Sequence, residues 1–387
     1  MGEKTFSART VSSMVGIDAS TWDALANPVG TPYNPFISHA FLNLLEESGS
    51  VSPEAGWAPS HVLLDLDDEL VGATPAYLKS NSQGEYVFDH GWADAYERAG
   101  GNYFPKLQCS VPFTPVTGRR LLIAPGEDAL QYRTALASAL VQVTEQAGLS
   151  SAHLTFLPGD EWAALAELGF LKRMDQQFHW QNEGYASFDE FLAALSSSKR
   201  KALRKERRRA LENDLTIEWV TGTDITEAHW DAFWVFYQDT GARKWGRPYL
   251  TREFFSLLGE RMAKDVLLIF ALRNGQPVAG ALNMIGGDTL YGRYWGCTEY
   301  HKFLHFEISY YQAIDFAIER GLKHVEAGAQ GEHKLVRGYV PVTTYSAHWI
   351  CDPGFREAVE HYLKQERTYV SEDMKVMAQH LPFKKME

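Results

Sequence analysis

The predicted elements run through this chain twice in one order, and that repetition restricts the fold more than any single motif. In the first half, FSARTVSSMVGI reads as a strand, and STWDALANP and SHAFLNLLEESGSV read as helices with a serine at each N-cap. SHVLLDL and LVGATPAYL flank the acidic turn DLDDEL as a hairpin, and EYVFDHGW reads as a third strand. An irregular stretch, ADAYERAGGNYFPKLQCSVPFTPVTGRR, is followed by helix EDALQYRTALASALVQVTEQAG, strand SAHLTFL, helix DEWAALAELG and strand KRMDQQFHWQ. The second half repeats this order with strand LTIEWV, helices TEAHWDAFWVFYQDTG and TREFFSLLGERM, hairpin VLLIFALRN and PVAGALNMI, strand TLYGRYWG, helix FEISYYQAIDFAIERG and strands KHVEAGA and TTYSAHWI. A last helix starts at Asp352-Pro353, with Pro at the tolerated first turn.

Three short echoes keep the same order: LVGATPA with PVAGALN, VFDHGWA with LYGRYWG, and EQAGLSSAHL with ERGLKHVE. The spacing is that of a domain rather than a solenoid repeat. The 387 residues suffice for two domains. The break is expected near Asn182–Ser187, giving domains 1–184 and 185–387, each a mixed α/β unit.

Net charge separates two regions. The chain carries -12, yet Lys199–Arg209 (KRKALRKERRR) holds eight cations and one acid, so +7, and the remaining residues sum to -19. An acidic body with one basic helix points to a local anion site rather than a general nucleic-acid coat. That helix has three readings: domain-linking ion pairs, contact with an anionic substrate or donor, or tRNA binding. It lacks the aromatics of a single-strand platform.

Hydrophobic residues are 45% and charged residues 22% of the chain, the profile of a soluble globular protein. MGEKTFSARTVSS lacks the apolar core of a signal peptide, and no apolar run is long enough to span a bilayer. Cys109, Cys297 and Cys351 are far apart and build no CxxC or disulfide framework. A cytoplasmic location is therefore expected.

The densest chemistry follows a short apolar strand. EAGAQGEHKLVRG places Glu326, Glu332, His333, Lys334 and Arg337 among glycines that include Gly338, and Pro341 is expected to end the loop. His333 suits a base near neutral pH, and Glu332 or Glu326 suits either orienting it or taking the proton. Lys334 and Arg337 suit a phosphate or carboxylate. TEYHKFLHFE puts His301, Lys302, His305 and Glu307 before a helix, whose N-terminus favours anions. His301 and His305 share helical spacing but have no third ligand in view, so no metal is expected. YGRYWG sets Arg293 and Trp295 on one strand face, and FDHGWADAYERAGGNYF gathers His90, Trp92 and Asp94 as a possible acceptor-holding patch or a packed seam. There is no Gly-x-Ser-x-Gly elbow, no P-loop, and no base beside Cys109.

The element string, together with PYNPFISHAFLNLLEESGSV, PFTPVTGRRLL, SSSKRKALRKERRRA, YGRYWGCTEYHKFLHFEISYYQAIDFAIERGL and EAGAQGEHKLVRGYVPVTTYSAHW, resembles the FemAB-like N-acyltransferases of bacteria, tandem-domain relatives of the FemABX aminoacyltransferases within the GNAT superfamily. The resemblance implies two tandem GNAT-like domains, each a mostly antiparallel sheet flanked by helices. It implies an acyl donor lying where two central strands diverge, with its phosphates at the next helix start. It supports Lys334, Arg337 and Gly338 through the family's Lys-x-x-Arg-Gly element. The second domain would be catalytic and the first would hold the acceptor. TEYHKFLHFE departs from the glycine-rich donor loop of ordinary acetyltransferases. The expected activity is direct attack of an amine, on a small molecule or peptide, on acyl-coenzyme A as co-substrate, with no permanently bound cofactor. Aminoacyl-tRNA with a peptide or cell-wall acceptor, through Lys199–Arg209, is the alternative donor. A recognition module without chemistry is the third reading.

Overall fold

The structure, a computed structural model, describes residues 5–212, 214–244, 248–328 and 331–384, without the side chains of residues 242–244 and Glu332. In chain order its elements are β1 (Phe6–Val11), α1 (Ala19–Ala26), α2 (His39–Glu47), β2 (Trp57–Pro59), β3 (His61–Leu66), β4 (Glu69–Thr74), β5 (Ala76–Lys79), α3 (His90–Arg98), β6 (Lys106–Cys109), β7 (Leu122–Ile123), α4 (Ala129–Gln146), β8 (Ser151–Leu157), α5 (Gly159–Glu167) and β9 (Leu171–Gln181). They continue as α6 (Phe188–Ala194), α7 (Ser197–Ala210), β10 (Leu215–Thr221), α8 (Glu227–Lys244), α9 (Arg252–Met262), β11 (Val266–Arg273), β12 (Gln276–Ile285), β13 (Thr289–Cys297), α10 (Leu304–Phe306), α11 (Gln312–Glu319), β14 (His324–Glu326), β15 (Val340–Ile350) and α12 (Pro353–Gln379).

The chain divides into two compact units whose limits differ from the halves 1–184 and 185–387. One comprises Met1–Asp175 with Thr343–Glu372, the other Gln176–Val342 with Asp373–Glu387. Each unit thus takes a strand segment from the opposite sequence half. Tyr345–Ile350 of β15 pair with β8 in the first unit, and His179–Gln181 of β9 pair with β14 in the second.

In the first unit, β1, β3, β4 and β7 form one sheet, and β2, β5, β6 and β8 line up beside the β15 segment in another. The β3–β4 turn needs left-handed backbone at Asp67 and Asp68 (φ 49° and 68°), which Asp tolerates. The predicted third strand is not one. Glu85–Asp89 is irregular and His90 opens α3, while the strand is KLQC, β6, inside the stretch read as irregular. The echo of VFDHGWA with LYGRYWG therefore joins a loop and helix to a strand. The reason is tertiary: Glu85 and Asp89 turn inward to meet buried Lys106, a demand that outweighs the β-propensity of Tyr, Val and Phe. A smaller correction concerns α1, whose N-cap is Asp18 and not the serine inside it.

In the second unit the order is β10-β11-β12-β13-β14 followed by the β9 segment. The pairs are antiparallel except β13–β14, and the first unit has its parallel pair at β6–β8. The β11–β12 turn uses Asn274 and Gly275 (φ 52° and 74°), the Asn-Gly signature of a tight hairpin. Gly148 and Gly321 both end a helix before the next strand at φ 65°. Two of the three echoes are thus structural. The second core gathers Leu267, Ile269, Leu290, Ile308, Ile314 and Val325, all fully buried, between sheet and helices. Among the described residues, no helix is long and apolar enough to cross a membrane.

Candidate functional site

The site begins where β13 and β14 part. They pair only over Thr289–Tyr291 with His324–Glu326, while β13 runs on to Cys297. Just past the split, Leu282 faces Tyr294 and Asn283 faces Gly292, so Arg293 is the extra residue of a β-bulge. Bulges re-aim side chains beside functional clefts. The gap opens into a solvent-accessible cleft lined by residues 281–283, 292–295, 305, 309, 310 and 327. Gly292 keeps it open. A Cβ there would stand 3.3 Å from both Asn283 Oδ1 and the Glu326 carbonyl oxygen.

Asn283 and Ser309 each bring to this lining a polar atom with no partner among the described residues. Asn283 is 1% exposed, and its Nδ2 donates to the Leu267 carbonyl at 3.4 Å while Oδ1 is unpaired. Ser309 Oγ is likewise buried and unpaired. Buried polar groups are nearly always hydrogen-bonded, so both fit a ligand that supplies the missing partners.

Charges lie beside the split. Arg293 donates to Glu326 Oε2 at 3.2 Å, with both side chains buried, and His179 Nε2 is 3.9 Å from the other carboxylate oxygen. Burial pushes the His179 imidazole below its usual value. Lys334 is 1% exposed and donates to the Gly328 carbonyl at 2.8 Å. No carboxylate among the described residues pairs with it. Burial, reinforced by the Arg293 guanidinium, pushes its amine down to about 7.

The segment expected as a loop is a 3-10 helix, Glu332–Arg337. With three residues per turn, Lys334 and Arg337 eclipse. Both face inward while His333 faces solvent. Arg337 donates to Glu206 at 2.9 Å and to the His333 carbonyl at 2.6 Å, and stacks on Phe306 at 3.4 Å. Gly338 closes the turn at φ 86°, where a Cβ would strike Phe191. Pro341 does not end the segment: β15 runs through it from Val340.

The opposite wall is a π-helical turn, Glu307–Tyr311, between α10 and α11. Such turns often mark functional sites. Its extra residue lets adjacent Ser309 and Tyr310 both reach the cleft. Tyr310 OH lies 2.9 Å from His333 Nε2, and the His305 ring stacks on Trp295 at 4.2 Å. Gly331 makes room for the His333 imidazole, whose Cε1 would stand 2.4 Å from a Cβ.

The basic run forms α7 and has two faces. Inward, Arg207 holds Glu307 at 2.8 Å and Asp315 at 2.6 Å, and Glu206 accepts from Arg337 and Tyr311. Outward, Lys201, Arg204, Lys205 and Arg208 are exposed. Arg209 and Lys302 stand over Phe303 at 5.7 Å and 5.2 Å, at the start of α10. That start has no side-chain cap.

The structure gathers Arg293, Trp295, His305, Glu326, His333 and Lys334. Glu307 and Arg337 brace the helices around the cleft and do not line it. His301 pairs with Glu299 at 3.1 Å. Glu332 lies outside the described side chains. His90, Trp92 and Asp94 sit on α3 in the first unit, where His90 stacks on Phe88 and Trp92 packs against His348. Among the described residues, no three His, Cys, Asp or Glu side chains are grouped to hold a metal. The sequence reading missed Asn283, Ser309, Tyr310 and His179. Only Asn283 had a signal, a lone amide inside the apolar run PVAGALNMI.

Residues 13–385 match the family described as FemAB-like, peptidoglycan biosynthesis/recognition. The crystal structure of FemX is similar at 12% identity and TM-score 0.56, covering 89% of this chain and 98% of that one. A conserved protein of unknown function from Bacteroides thetaiotaomicron VPI-5482 is similar at 13% identity and TM-score 0.52, covering 89% and 99%. A tandem GNAT protein from the clavulanic acid biosynthesis pathway aligns at 11% identity and TM-score 0.47, covering 90% and 99%. No curated protein sequence matches the chain.

Proposed function

This chain belongs to the FemAB-like family, and from that premise we propose that it is a transferase moving an acyl group from an activated donor, acyl-coenzyme A, to a substrate amine. The observation that carries the reading is the cleft between the parting strands β13 and β14, with two buried, unpaired polar atoms on its lining. An acyl chain fits there, with the Ser309 hydroxyl donating to the acyl carbonyl oxygen and Asn283 Oδ1 accepting from an N–H of the donor or of the amine. Cations at the α10 start, Lys302 and Arg209, suit the donor's phosphates. The amine attacks the carbonyl directly, and alignment supplies much of the rate. Arg293, which lines the cleft, stabilises the negative charge that develops. The second unit is the catalytic one, and the first holds the acceptor.

A second reading has one observation in its favour. The outward cations of α7 form a ridge on a helix clamped to the cleft wall. That ridge suits a polyanionic donor, aminoacyl-tRNA, acting on a peptide or cell-wall precursor, in keeping with the family's description.

Native mass spectrometry of the full chain with a panel of acyl-coenzyme A thioesters, charged tRNA and primary amines tests both. Retention of a thioester with turnover, weakened at least tenfold by Asn283→Leu, is the expected result. Retention of tRNA alone moves the assignment to the second reading. Binding without turnover leaves a recognition module.

A further inference from the structure

We infer that Tyr310 and His333 form a proton outlet from the acyl cleft to solvent. The inference rests on the transferase reading above. Acylation of an amine forms a C–N bond, breaks the bond from the carbonyl carbon to the donor's leaving atom, and frees one proton from nitrogen. Glu326 does not line the cleft, is 6% exposed and is engaged by Arg293. Tyr310 lines the cleft, is 4% exposed, and its hydroxyl lies 2.9 Å from Nε2 of His333, which is exposed. The two rings therefore bridge the cleft lining and the solvent-facing side of the 3-10 turn.

The nitrogen proton passes to the Tyr310 oxygen as the Tyr310 hydroxyl proton passes to His333 Nε2. The imidazolium then gives a proton to water, and the leaving group departs with the bonding electrons. Tyr310 never carries the charge. Burial pushes its hydroxyl up to about 12, so it relays rather than stores. The pair works only if His333 is neutral with its proton on Nδ1. Three features hold it: the π-helical turn that swings Tyr310 into the cleft, Gly331 under the imidazole, and Arg337 on the His333 carbonyl. Among the described residues, the titratable and charged groups facing the pair include His305, Tyr339 and the Arg337 guanidinium.

Nitrogen-15 NMR of histidine-labelled full chain reads the dyad without turnover. His333 should appear as the Nδ1–H tautomer, and Tyr310→Phe should move its titration midpoint while other histidines hold. Kinetics with whichever donor and amine the panel yields supplies the second arm. Tyr310→Phe and His333→Gln should each lower kcat about 100- to 10,000-fold with KM nearly unchanged. The double variant should be no slower than either single one, and added imidazole should restore His333→Gln. A His333 midpoint indifferent to Tyr310→Phe, or multiplicative losses in the double variant, overturns the outlet alone. A wild-type chain inert toward every donor, with the NMR coupling intact, overturns the transferase reading and the outlet with it.

Discussion

Of the buried lysines, Lys79 and Lys106 face each other across β5 and β6 while Lys334 follows β14, and Lys106 and Lys334 are solved differently. Lys106, at the start of β6, is fully buried and lies between Glu85, at 2.8 Å, and Asp89. Burial opposes ionisation of Asp89, yet Lys106 beside it holds that carboxyl well below the usual range. Lys334, after β14, is as deeply buried with one backbone carbonyl and a guanidinium for company. The first lysine is itself satisfied by two carboxylates and the Ser82 hydroxyl, although Glu85 Oε1 and Asp89 Oδ1 around it find no hydrogen-bond partner. The second has no carboxylate partner among the described residues and stands beside an open cleft, an arrangement that fits a functional lysine.

The largest test removes the first lysine. Lys106→Met leaves two carboxylates buried with their main cation gone, which costs about 3–5 kcal/mol when one partner of a buried pair is lost. Urea unfolding followed at several wavelengths measures it. A loss below about 1 kcal/mol would show that Lys106 is not the main counter-charge of these carboxylates.

Removing the open lysine should do the reverse at neutral pH. The folded value near 7 lies below the ordinary 10.5. Between those values the unfolded chain holds a proton that the folded chain lacks, so this group's contribution to stability rises with pH across the window. Below pH 7 the full cost of burying the charge is felt. Lys334→Met should therefore be more stable than wild type at pH 6, and the gap should narrow by about 2–3 kcal/mol between pH 7 and 9, at about 1.4 kcal/mol per unit. Thermal melts across that range measure it, and a pH-independent gap breaks the contrast.

Much of this contrast was invisible in the sequence, for physical reasons. Periodicity and turn chemistry carried the fold: the Asp67-Asp68 and Asn274-Gly275 hairpins and the helix-ending Gly148 and Gly321 are local decisions. Lys106 lay in a stretch of Pro, Gly and aromatics because its strand is specified by the carboxylates it meets, Glu85 and Asp89, far along the chain. The Glu326–Arg337 stretch was legible as a charged group after a buried strand. Its orientation was not, because only the 3-10 period puts Lys334 and Arg337 inside and His333 outside. Tyr310 and Ser309 depend on one extra residue in a helical turn, which FEISYYQAIDF does not announce.

The smallest expected effect tells whether distance or solvent makes Lys106 costly to remove. Arg204 holds Asp189 at 2.7 Å, closer than the 2.8 Å between Lys106 and Glu85, but its side chains are 57% and 77% exposed. If contact distance governed, Arg204→Ala would rival Lys106→Met. Water screens the exposed pair, and either partner left alone is simply hydrated, so the expected loss is about 0–1 kcal/mol. Raising salt should erase even that, since exposed charges are screened within a Debye length of about 8–10 Å, whereas Lys106→Met should keep its cost. A salt-insensitive loss above 2 kcal/mol for Arg204→Ala would mean that α7 is anchored through its outer face, and that face would then be structural rather than free for a polyanionic donor.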